Sequence, residues 1–134
     1  MPSRPVSAER EALWMAKLQG CYAEYAQRYF QGDIPTVPVR ISWRLKRTLA
    51  YARHLRENGR PAEVVVSGKH IMLHGWGQVH ATLKHEMIHI WQCAHGLKPG
   101  HGADFKALAG MVGVEPAASE YVAPLKMRRK RRNS

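Results

Sequence analysis

Residues 83–105 read LKHEMIHIWQCAHGLKPGHGADF. Four histidines fall in this stretch, and Glu86 follows the first of them. On a helix, residues four apart lie on one face about one turn apart, so His85 and His89 can reach one ion together. Neutral imidazole nitrogen is a good ligand for tetrahedral zinc. Glu86, adjacent to a ligand, is placed to take a proton from a water that the ion polarises. His85-Glu86-Met87-Ile88-His89 therefore encodes two ligands and a general base. Leu83, Met87, Ile88, Ile90 and Trp91 make this an apolar helix. A glutamate with two histidines in such a helix needs a partner such as a metal.

A catalytic zinc site takes three protein ligands and leaves a fourth position open. His95 stands six residues after His89, the spacing used by metzincins, but their turn-forming glycine is replaced here by Gln92. If the helix runs to Ala94, His95 lies about 240° round the axis and about 9 Å along it, pointing away from the ion. As a helix-terminal residue, a partly cationic His95 suits the helix dipole. Gly96, Pro99 and Gly100 can return the chain toward the helix. That favours His101 as the third ligand, with Gly102 permitting close backbone approach. Glu115 and Glu120 remain open as carboxylate alternatives, although Gly113 and Pro116 disfavour a helix around Glu115.

Working outward, the active helix is expected from about Val79 to Ala94, with Gly96 as its stop. HGWGQ (74–78) before it reads as a loop. LKPG (97–100) after it is another, followed by a shorter helix from about Gly102 to Val112 that ends at Gly113. Upstream, the turn RENGRP (56–61) and the β-branched run EVVV (63–66) predict a hairpin with strands near 47–55 and 62–67. VRISWRLK (39–46) alternates: Val39, Ile41, Trp43 and Leu45 face one way, Arg40, Ser42, Arg44 and Lys46 the other. That predicts a half-buried strand with a basic outer face. IPTVPV (34–39) is a connector. Trp14, Leu18, Cys21, Tyr22, Tyr25 and Tyr29 recur at three- and four-residue steps, giving a helix capped by Ser7 and ending near Gly32.

The chain has 134 residues, 45% of them apolar, and a formal net charge of +11. These values fit one domain with a real core and exclude a disordered composition. We expect a lead at 1–6, a domain at 7–124 and a basic disordered tail at 125–134. The charge favours a polyanionic partner, nucleic acid first. Two scattered cysteines, Cys21 and Cys93, exclude a cysteine zinc ribbon and suit a reducing compartment. No run has the length and apolarity of a signal peptide or a bilayer span, so the expectation is a cytoplasmic protein.

The paired motif resembles the SprT-like zinc metallopeptidase domain, which includes the Spartan proteases. His-Glu-x-x-His is filled by His85, Glu86 and His89. The downstream His-Gly-x-x-Phe is filled by His101, Gly102 and Phe105. The resemblance runs over roughly residues 7 to 115 and takes in VRISWR as an early strand. It implies an α+β zincin-like core: a small, mostly antiparallel sheet packed on an N-terminal helix and the His-Glu-x-x-His helix. It also implies one zinc per chain held by His85, His89 and His101. The implied activity is a protease acting as a monomer on proteins bound or crosslinked to DNA, away from membranes. DNA contact would be sequence-nonspecific, to single or double strands.

Without a zinc ribbon, DNA affinity must come from basic residues. Arg40, Arg44, Lys46 and Arg47 offer a strand face. Lys126, Arg128, Arg129, Lys130, Arg131 and Arg132 offer a tail. Phosphate contacts of this kind position a protein without reading sequence. Trp76 is read as a loop anchor rather than a base-stacking platform, and Tyr121, His74 and His80 as structural rather than oxyanion-binding. Two rival functions remain. One is a metalloprotease that cuts a specific protein such as a repressor, with DNA contact incidental. The other is a non-catalytic, zinc-stabilised nucleic-acid-binding module, against which Glu86 argues because a structural site has no use for a base.

Overall fold

The structure is a computed structural model that describes residues 5–114. Residues 1–4 of the expected lead at 1–6, the tail, Tyr121, Glu115 and Glu120 lie outside the described residues. Helix α1 spans Ala8–Phe30. Ser7 caps it as expected, its hydroxyl accepting from the Arg10 N–H at 3.1 Å. Glu9 and Glu11 occupy the first turn, where carboxylates suit the dipole. The helix stops on Gln31 at φ 50°, just before Gly32. Leu18, Tyr22, Tyr25, Ala26 and Phe30 are its buried residues.

The connector after α1 packs rather than dangles: Ile34 and Val37 are buried, and the Tyr22 hydroxyl donates to the Pro35 carbonyl. Gln19 docks it with both ends of its amide. Nε2 donates to the Val37 carbonyl and Oε1 accepts from the Val39 N–H, each at 2.9 Å. Strand β1 (Val39–Ser42) begins there.

β1 is shorter than the alternation predicted. The pattern breaks at Trp43, whose indole N–H donates to Glu11 at 2.9 Å. Its ring lies so close to Gly68 that a Cβ there would meet it at 2.5 Å. Packing the Trp43 ring on Gly68 and Trp14 replaces the four further residues of edge pairing expected as far as Lys46. The expected basic strand face is therefore not formed. Only Arg40 lies on the strand, whereas Arg44, Lys46 and Arg47 belong to the loop that follows. Arg40 is ion-paired with Glu63 at 2.9 Å, and Glu63 also takes Arg53 at 2.8 Å. The two guanidinium groups hold the Glu63 carboxyl below its ordinary range.

The predicted hairpin forms from β2 (Ala50–His54) and β3 (Pro61–Ser67). β3 inserts between its neighbours, so the strand order is β1-β3-β2. β1 runs parallel to β3 and β2 antiparallel to it. The sheet is mixed, one pairing of each kind. Val64, Val65 and Val66 in the central strand are almost wholly buried. β2 remains an edge strand.

Helix α2 covers Gly68–Ala94, starting much earlier than the glycine-rich sequence suggested. HGWGQ is not a loop. Gly75, at φ 83° and ψ 165°, breaks the helix into two segments at a single residue, a conformation open in practice only to glycine. Tertiary contacts hold the break. Thr82 donates to the Gln78 carbonyl at 3.0 Å, so its oxygen accepts from His70 Nε2–H at 2.9 Å. His70 Nδ1 is then an acceptor and takes the Nδ1–H of His74 at 2.7 Å. Trp76, half-buried, packs edge-on against Trp14 at 6.0 Å between ring centroids. Helix α3 (Ala103–Val112) follows and ends at Gly113 (φ 76°), as expected. The architecture is α+β, three helices around a small sheet. Among the described residues, no helix is long and apolar enough to cross a membrane.

Candidate metal centre

The second segment of α2 carries His85, Glu86 and His89 on its inward face, against the sheet and α3. The loop at 96–100 folds back, with Gly96 at φ 73°, and brings His101 over the same spot. Ligand atoms of His85, His89 and His101 all lie within 4.8 Å of one another. Nε2 of His101 is 3.3 Å from Nε2 of His85. A tetrahedral ion with metal–nitrogen bonds of about 2.0–2.1 Å places its ligand atoms about 3.3–3.4 Å apart. That separation is one edge of such a tetrahedron, so the three imidazoles could hold a metal ion. Burial, with His89 and His101 nearby, pushes His85 down to about 4. It is therefore neutral near pH 7, as a metal ligand must be.

Glu86 is buried between this triad and β2. Burial pushes its carboxyl up to about 8, and the Ala52 backbone N–H opposes that rise. A cation at the histidines would favour the carboxylate. Two clefts meet at Ala50 and Glu86. One, about 260 Å³, is lined by Arg47, Thr48, Leu49, Thr82 and His85. The other, about 460 Å³, is lined by Tyr51, His54, His89, Cys93, Pro99 and His101 among others. The edge strand β2 lines the larger cleft and reaches the smaller one at Ala50.

Phe105 is fully buried beneath the site. Its ring centroid is 4.9, 5.1 and 4.5 Å from those of His85, His89 and His101. The aromatic residue four after His101 is the apolar floor on which the three imidazoles rest. His95 caps α2 away from the centre. Its ring spans the Trp91 carbonyl at 2.9 Å and the Asp33 carboxylate at 3.0 Å. His74 and His80 also lie outside the triad, in the His70 pair and beside Cys21, Tyr25 and Trp76. Trp76 is an anchor in a helix rather than a loop, and Lys17 lies 5.0 Å above its ring.

Sequence reasoning missed one residue. Gln92, fully buried, joins His89 to the His101 loop and to α3. A polar side chain three residues after a candidate ligand, on an apolar helix face, was the available signal. Of the proposed basic residues, Arg47 borders the cleft beside Glu86, and Arg44 and Lys46 are exposed in the same loop.

No curated protein matches the chain. The family model of the SprT-like family matches residues 18–126. That span contains the whole triad, Glu86 and Phe105, and with most of the chain matched, the protein belongs to the SprT-like family.

Proposed function

We propose that the protein is a zinc-dependent metallopeptidase, with Glu86 as general base, that cleaves proteins bound or crosslinked to DNA. The observation that carries the reading is the convergence of His85, His89 and His101 beside the buried Glu86 carboxyl. Bound zinc supplies Lewis acidity to the peptide carbonyl and to the attacking water. The chain's own residues do the rest. Glu86 accepts the water's proton as the water oxygen bonds to the carbonyl carbon. It then gives that proton to the amide nitrogen as the C–N bond breaks. Phe105 keeps the imidazoles in register, and Glu86 stands where the two clefts meet. Among the described residues the outer side of β2 is unpaired, and the strand lines the larger cleft, so an extended substrate can add to it as a further strand.

DNA as the place of action is supported by the net charge of +11 and by the tail at 126–132. Arg47 at the cleft, with the exposed Arg44 and Lys46 in the same loop, supports it too. Arg40 contributes less, being committed to Glu63. The test is cleavage of a DNA-bound protein, with and without DNA and chelator. Wild type cuts only with zinc and faster with DNA. Glu86→Gln binds zinc and does not cut. Cleavage by Glu86→Gln excludes Glu86 as the base. Cleavage indifferent to DNA moves the reading to a protease for a specific protein. No cleavage by zinc-loaded wild type, with DNA binding retained, leaves the zinc-stabilised binding module.

A further inference from the structure

We propose that Gln92 is a positioning residue of the metal centre, fixing the tautomer of His89 and clamping the loop that delivers His101. All four hydrogen-bonding capacities of its buried amide are used. Oε1 accepts from His89 Nδ1–H at 2.8 Å and from the Gly100 N–H at 3.3 Å. Nε2 donates to the Gly100 carbonyl at 3.1 Å and to Asp104 Oδ2 at 2.9 Å. The reverse amide orientation would set N–H against N–H at Gly100 and oxygen against oxygen at both Gly100 and Asp104. The orientation is therefore dictated by backbone and carboxylate, and the His89 tautomer follows from it. An amide oxygen can only accept, so His89 must donate from Nδ1. Its Nε2 lone pair is left as the ligand atom.

The arrangement is a relay of fixed dipoles. The Asp104 carboxylate polarises the Gln92 amide, whose oxygen in turn polarises the imidazole of His89. Metal-binding histidines commonly take such support directly from a carboxylate or carbonyl, which sets their orientation and raises their basicity. Here an amide stands between, and the insertion allows a second task. The same amide grips both backbone groups of Gly100, the residue before His101. One side chain thus holds two of the three imidazoles in relation to each other. Asp104 keeps its carboxyl below the usual range chiefly through this hydrogen bond. The inference concerns zinc binding and is independent of which substrate is cut.

The test uses the full chain. Zinc affinity is measured by competition with a chromophoric chelator, and His89 Nδ1–H exchange with water by ¹⁵N NMR of the zinc-loaded protein. Gln92→Leu, close in size, is expected to weaken zinc binding about 10- to 100-fold. It should also turn a slowly exchanging His89 N–H into a fast one, while the amide spectrum stays dispersed. Gln92→Glu retains an acceptor facing His89. It should keep the slow N–H yet bind zinc more weakly than wild type, because both donated bonds are lost. A purely structural role would not separate these two readouts. Asp104→Ala removes only the far end of the relay and serves if Gln92→Leu does not fold. It should weaken zinc binding less than Gln92→Leu does. Wild-type affinity and exchange in a folded Gln92→Leu, or in Asp104→Ala where Gln92→Leu fails to fold, overturns the proposal.

Discussion

Replacing His101 by alanine tests the centre most directly, because the same chain offers His95 as an internal control. Nε2 of His101 lies one tetrahedral edge, 3.3 Å, from Nε2 of His85. Losing a mere supporting partner costs about 10- to 100-fold in metal affinity, so losing a ligand should cost at least about 100-fold. That is about 2.7 kcal/mol. At zinc concentrations well above the weakened Kd of the variant, zinc-dependent stabilisation falls by the same amount. For a domain of this size each kcal/mol moves Tm by roughly 3–5 °C. The zinc-induced rise in Tm should therefore be smaller by roughly 8–13 °C in His101→Ala. Without zinc, the exposed His101 side chain should change stability by no more than about 0.5 kcal/mol. His95→Ala removes a mainly surface contact with Asp33, about 1 kcal/mol at most. The loss should be equal with and without zinc. The assay is thermal melting of both variants across a zinc titration, with zinc content per chain measured after dialysis. A full zinc-dependent shift in His101→Ala would refute the assignment and return attention to Glu115 and Glu120, and its loss in His95→Ala would refute it in favour of His95.

Three further outcomes follow from particular contacts. His70 is buried and neutral, its pKa pushed down to about 4 from 6.5 chiefly by desolvation, with His74 adding to it. The unfolded chain binds more protons in that window, so stability present above pH 6.5 is lost as pH falls toward 4. By pH 4.5 His70 should account for about 2.5 kcal/mol of that loss. Urea melts at pH 7.5 and 4.5 should show the wild type losing about that much more than His70→Leu, and parallel losses would remove His70 from the explanation. Gly68→Ala drives a Cβ to 2.5 Å from the Trp43 ring and should cost about 1–3 kcal/mol in urea denaturation; an unchanged midpoint would mean that Trp43 moves aside freely. If about five phosphates are neutralised, log affinity for DNA should fall against log salt with a slope of about −3.5 to −4.5. Removing residues 126–134, or replacing Arg44, Lys46 and Arg47 together, should flatten that slope, whereas Arg40→Ala should barely move it. A slope insensitive to both changes would place the DNA contacts elsewhere.

Local signals were legible wherever one short-range interaction dominates. Ser7 caps α1 because a hydroxyl oxygen can satisfy an orphan N–H with no help from the rest of the fold. The hairpin at 55–60 follows from Asn58 and Gly59, the latter at φ 71°. The break in α2 was not legible. Two glycines within four residues lower helix propensity enough to read as a loop. What restores the helix is Trp76 against Trp14 of α1 and His70 bonded to Thr82 across the break, contacts beyond the reach of local propensity. The truncation of β1 is likewise decided at a distance, by the space that Gly68 leaves for Trp43.

The sequence alone determined the chemistry: two imidazoles and a carboxyl on one helical face, a third histidine past a glycine-bearing turn, and an aromatic residue four beyond it. Helical periodicity fixes the His85–His89 relation whatever surrounds it, whereas the return of His101 depends on how the loop at 96–100 folds back. Only the tertiary structure decided how the three imidazoles are held. The Phe105 floor, the Gln92 clamp and the edge strand beside Glu86 join residues from separate elements. Their proximity depends on how α2, α3 and the sheet pack, which no local periodicity encodes.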